Sequence, residues 1–232
     1  MKRFWSEARA EPTKEGFAIL LDGRPMRLPG GAVLQVGPEA LARAVAAEWQ
    51  AAGAEMSFAD TPLTRLAGTA RERIAPDPFP TIDAIARYGE SDLLCYRAET
   101  PEKLVLRQEA AWQPWLDWAA ATYGATLRVT VGVAPIRQHR GSIAALRKAV
   151  AGYDAYALAA LGIAVPALGS LVLGLALAQA RLEADEAYAL GALDELFQAE
   201  LWGEDAEAAA RRDAIAADVA LASRMLRLVL PP

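Results

Sequence analysis

Cys95 and His139 are the single cysteine and single histidine of the chain, so a thiol–imidazole nucleophile would have to be built from that pair. Neither stands in a sequence context that supports one, and the expectation is a buried structural thiol and a solvated loop histidine. The remaining groups able to do chemistry are carboxylates. Glu195, Glu200 and Glu204 fall in a helical stretch, but a di-metal bundle needs Glu-x-x-His pairs, and the chain has none. Nor does it carry Gly-x-Gly-x-x-Gly, a phosphate loop, His-Glu-x-x-His or Cys-x-x-Cys. The expectation is a protein with no catalytic residue, no cofactor and no metal. The competing reading is a small soluble enzyme of unknown reaction working through Cys95 and His139.

With chemistry so thin, binding groups take precedence. Trp202 stands at a predicted helix end beside Gly203, between Glu200 and Glu204. An indole ringed by carboxylates suits an interface anchor, while an acidic solvated face with Trp202 tucked beneath it is the other reading. Trp112, Trp115 and Trp118 recur every third residue on a predicted helix, as core or as a partner-binding ridge. Charge is segregated: Trp118 to Tyr153 holds five bases and no acid, whereas Leu182 to Ala210 holds nine acids and no base. A net charge of -5 argues against a generic nucleic-acid partner. A lone cysteine fits a reducing compartment, and the first residues lack a secretion signal or organelle presequence, so the expectation is a chain that is cytosolic or already processed.

The elements that must position these groups are organised around Ala157 to Ala180, a stretch without a single charge. A helix apolar on every side must be buried or span a membrane. Pro166 is expected to break the run, leaving a second helix from Ala167 to Ala180, and neither piece then spans a bilayer. Acids at both flanks and the absence of an aromatic belt favour a buried core without membrane insertion. Ahead of it, Phe17 to Leu21, Asp22-Gly23 and Arg24 to Leu28 predict a β-hairpin, with Leu34 and Val36 as a third strand. A helix follows from Pro38, closed by Gly53 in a left-handed cap, and another runs from Pro62 to Ile74. Pro76 to Pro80 is expected to forbid a regular element and to divide a small β-containing domain, residues 1–76, from a larger, mostly helical domain, residues 77–232. The fold class is α+β. In the second domain helices are predicted from Thr81 to Tyr88, from Thr100 to Tyr123, over Ser142 to Ala151, over Asp185 to Leu201 and over Asp205 to Leu230. Thr126 to Val131 alternates as a strand, and Ser91 to Arg97 is a short helix or an extended connector.

Several of these blocks, in this order and spacing, carry a resemblance: Arg3-Phe4-Trp5, Gly16 to Pro25, Pro62 to Ala67, Ser91 to Arg97, Gly169 to Leu173 and Leu193 to Gly203. The sequence resembles the assembly chaperones that handle the α subunit of the F-type ATP synthase catalytic head, the ATP-twelve family of mitochondria and α-proteobacteria. The resemblance extends over nearly the whole chain. It implies a non-catalytic protein that binds newly made α subunit and shields the surface later offered to the β subunit. A monomer when free, it would work in the bacterial cytoplasm or, for eukaryotic members, the mitochondrial matrix. The family's acidic helix motif falls on Leu193, Asp194, Glu195, Phe197, Gln198, Trp202 and Gly203, with Glu195 the first residue to test. The expected partner-binding set is therefore Glu195, Gln198, Glu200, Trp202, Gly203, Glu204 and Asp205. One position departs: where the family often places a polar or acidic residue ahead of the Gly169-Ser170 block, this chain has Gly162.

Overall fold

The computed structural model describes residues 2–203 and 205–230. The class is α+β, with most strand residues near the N-terminus and helices through the remainder. Two compact units are formed, one from Met1–Pro78, Asp154–Ala160 and Arg224–Pro232, the other from Phe79–Tyr153 and Leu161–Ser223.

In the first unit, strand β2 (Gly16–Leu21) is the centre of a four-stranded antiparallel sheet. It pairs along its length with β1 (Ala8–Thr13) and, over shorter stretches, with β3 (Arg24–Pro25) and β4 (Gln35–Val36). The Asp22-Gly23 turn has φ of 47° and 77°, the doubly positive geometry whose twist matches that of a hairpin. Its carboxylate accepts the N–H groups of Glu7 (2.8 Å) and Ser6 (3.0 Å), which fastens the entry to β1. β1 is absent from the sequence reading because Ala8-Arg9-Ala10-Glu11-Pro12-Thr13 has no apolar alternation; as an edge strand it buries little and tolerates Pro12. Helix α1 (Glu39–Ala51) covers the sheet with Leu41, Val45 and Trp49, all buried with Ile19, Leu34 and Val36. It ends at Ala52, with φ −57° and ψ 136°, and not in a left-handed Gly53. Glu48 of α1 then accepts the N–H groups of Leu63 (2.8 Å) and Thr64 (3.0 Å) and so caps α2 (Pro62–Thr69), which continues as a π-turn over Ala70–Ile74.

The second unit begins with α3 (Phe79–Ala86), so the proline run does not exclude a regular element. Pro80 sits in the first turn, where its missing N–H has no helical partner to lose. Helical turns at Arg87–Ser91 and Leu93–Cys95 lead into β5 (Tyr96–Arg97), which pairs in parallel with β6 (Thr130–Val131). The alternation from Thr126 to Val131 thus yields a strand only at its end. Between them lies α4 (Glu102–Tyr123), stopped by Gly124 in the left-handed region, and α5 (Arg140–Ala151) follows.

Pro166 does not break the apolar run. Helix α6 (Ala155–Leu168) passes through it, and the break falls at Gly169, φ +63°, before α7 (Leu171–Ala178). The reason is positional: Gly162 and Pro166 are both exposed and one turn apart, so the carbonyl that Pro166 leaves unbonded faces water. Every residue of α7 is buried. The close approach of α6 rests on Gly174, since a β-carbon there would overlap Cγ2 of Val165. The stretch expected as one helix from Asp185 to Leu201 is two, α8 (Ala184–Gly191) and α9 (Leu193–Trp202), with Ala192 at φ −95°, ψ 10° between them. Helix α10 (Ala206–Val229) ends the described chain. No helix of the described residues is long and apolar enough to cross a membrane.

Candidate functional site

Helix α9 has two faces. Leu193 and Phe197 are buried, whereas Glu195, Gln198 and Trp202, spaced three and four residues apart, form an exposed stripe. Trp202 is 79% exposed and Leu201 beside it 52%, so the end of the helix presents an apolar tip to solvent. Gly203, at φ +87°, turns the chain out of the helix there.

The stripe is held from behind by α4 through Gln108, which the sequence reading did not single out, while Trp112, which it read as core or as a partner-binding ridge, bonds the preceding helix α8. The buried Gln108 donates from Nε2 to Asp194 Oδ1 at 2.7 Å and accepts the Ala98 N–H at 2.7 Å. One turn on, Trp112, fully buried, donates its indole N–H to the carbonyl of Leu190 at 2.9 Å. Arg97 lies beneath, 5% exposed, with Nη1 2.6 Å from the Gln108 carbonyl oxygen and its guanidinium 5.4 Å from the centre of the Trp112 ring. The legible signal was the pattern Leu104, Gln108, Trp112, Leu116, a polar residue on the apolar stripe of a helix. Of the other two tryptophans, both half-buried, Trp118 stacks edge-on against Trp115 and Tyr123.

The acids of the expected site are not a bare ring. Both oxygens of Glu200 lie 2.8 Å from Arg107 Nη1, and that contact holds the carboxyl below its ordinary range. Glu195 lies 3.4 Å from Arg211 Nη2 of α10. Asp205 caps α10, accepting the Ala208 N–H at 3.0 Å. Glu204 lies outside the described residues. The exposed side of α9 therefore carries an indole, a leucine and an amide, flanked by acid–base pairs. Such exposed pairs are screened by water and add little, so rearranging them costs little.

The thiol and imidazole are arranged differently from a nucleophile and its base. Burial, reinforced by the charge of Asp92, pushes the Cys95 thiol up to about 12, so it stays protonated at neutral pH. His139 is exposed ahead of α5, its Nε2 2.9 Å from Arg128 Nη2. No hydrogen bond joins the two side chains among the described residues, and no group of three or more His, Cys, Asp or Glu is placed there to hold a metal. The buried carboxylate is Asp92. It accepts the N–H groups of Val172 (3.0 Å) and Leu94 (3.1 Å), and burial raises it to about 6. With the Leu93 N–H donating to the Gly169 carbonyl at 3.0 Å, it ties the Ser91–Arg97 stretch to the start of α7, a structural task.

Against known proteins, the family model described as ATP12 chaperone protein matches residues 2–120. The structure of Atp12 from Paracoccus denitrificans superposes with a TM-score of 0.94 at 42% identity, covering 99% of this chain and 98% of that one. A protein of Agrobacterium tumefaciens, provisionally assigned as a chaperone, superposes with a TM-score of 0.94 at 40% identity, covering 99% of this chain and 86% of its own.

Proposed function

The chain belongs to the ATP12 chaperone family, and from that premise we propose that it assists assembly of the F-type ATP synthase catalytic head by binding the unassembled α subunit. The observation that carries the site is Trp202, 79% exposed at the end of a helix whose first turn is bonded to α4 through Gln108 and Asp194 and whose Leu193 and Phe197 are buried. A large aromatic on a rigid support supplies contact area at small entropic cost, which is the character of an interface anchor. An unassembled subunit exposes apolar surface that aggregates at cellular concentration, and covering it suppresses misassembly without chemistry or nucleotide. The β subunit then displaces the chaperone by competing for the same surface, so a modest affinity serves better than a tight one. Glu195, Gln198, Glu200, Gly203, Glu204 and Asp205 surround the anchor in this reading, and Glu195 and Glu200 exchange Arg211 and Arg107 for basic groups of the client. The protein acts as a monomer in the bacterial cytoplasm, without cofactor, metal or turnover.

The test is light scattering of isolated α subunit diluted from denaturant. Wild-type protein is expected to hold it in solution, and Trp202→Ala and Glu195→Lys to lose most of that protection while melting as wild type does. Protection unchanged in both variants rejects the site; absence of protection by the wild type rejects the client.

A further inference from the structure

The first unit carries a second exposed surface that α9 does not explain. A cleft of about 750 Å³ runs between β3 with the loop that follows it and the helix of Pro62–Thr69 with its π-turn. Leu21, Met26, Leu28 and Trp49, all buried, supply its floor. Phe4 and Phe58 stand at its edge, 72% and 75% exposed, where a soluble chain gains nothing from showing two phenyl rings to water. Its helical wall is one stripe: Thr64, Arg65, Gly68, Thr69, Glu72 and Arg73 follow at spacings of three and four, about 14 Å of helix. That length matches about four residues of extended chain.

Charge selects the occupant. Arg24, Arg27, Arg65 and Arg73 line the cleft and are all exposed, and among the described residues none of them makes a salt bridge. The one carboxylate of the lining, Glu72, is turned to the N–H of Gly30 at 3.1 Å. A compact ligand would call for polar groups converging on one point, whereas these cations are spread along both walls. We propose that this cleft binds an extended acidic segment of another protein, its bulky apolar side chains on the Leu21–Trp49 floor and its carboxylates against the four arginines. The inference rests on the chaperone reading only for which protein carries the segment.

The experiment uses a short fluorescein-labelled synthetic peptide in which phenylalanine and leucine alternate with glutamate, titrated with the full-length protein and followed by fluorescence anisotropy. A second peptide carries lysine in place of glutamate, and a third arm replaces peptide with phosphatidylglycerol vesicles. Saturable binding of the acidic peptide is expected, weakening with salt as charge pairing requires. The double variant Arg65→Glu with Arg73→Glu, and separately Thr69→Trp, which fills the cleft from an exposed position, should each weaken it by about tenfold or more. Circular dichroism melts like those of the wild type keep these losses from being read as unfolding. Equal binding of the lysine peptide, indifference to both variants, or binding of vesicles but not of peptide overturns the proposal. Because no α subunit enters the assay, a failed client and a failed cleft give different results.

Discussion

At the scale of single residues, Asp92 shows how a group able to titrate is committed to structure. Its carboxylate, raised to about 6 from an ordinary 3.8, is neutral more readily in the folded protein than in the unfolded chain. The sign follows: its favourable contribution is complete below about pH 4 and is lost as pH rises through 6, a difference of about 3 kcal/mol. Urea midpoints measured from pH 4.5 to 7.5 should fall across that window relative to those of Asp92→Asn, which cannot titrate; parallel curves would refute the assignment. Cys95 belongs to the same class. Its thiol, held at about 12, should resist thiol reagents in the native protein and react fully only after denaturation. That the pair Cys95 and His139 was the only candidate nucleophile could be read from composition; that one is sealed in and the other faces Arg128 could not, because burial is a property of neighbours distant in sequence.

Elements were legible where local rules act alone. The Asp-Gly turn, the helix opening after Pro101, and Gly124 as its stop follow from backbone preferences that need no partner. They were misread where packing decides. Pro166 is tolerated because its turn of α6 faces solvent, so Pro166→Ala should leave the fold intact and raise stability slightly, by up to about 1 kcal/mol, as a helical hydrogen bond to Gly162 is restored. The α6–α7 contact is the stricter constraint. Gly174→Ala puts a methyl group into Val165 and should cost about 1–3 kcal/mol in chemical denaturation. Adding Val165→Ala to it should recover part of that loss; strictly additive losses would mean the two side chains do not compete for one space.

For the whole molecule, the sequence reading expects a division at the proline run of residues 76–80, whereas the compact units are assembled from separated segments. Within the first unit the Tyr156 hydroxyl donates to the carbonyl of Gln35 (3.4 Å) and accepts the N–H of Gly37 (3.1 Å). A fragment of residues 1–76 loses both bonds and should melt at lower temperature and less cooperatively than the full chain by circular dichroism; a sharp, undiminished transition would make residues 1–76 a folding domain by themselves. The sequence alone determined the α+β class, the buried apolar centre and the family, because composition, periodicity and ordered motifs are written locally along the chain. Only the tertiary structure decided that Glu200 and Asp205 are already engaged, that Gln108 holds α9 and Trp112 holds α8 against α4, and that an arginine-lined cleft lies beside α2. Those facts depend on which side chains folding brings within a few ångströms of one another, and distance along a chain does not encode distance in space.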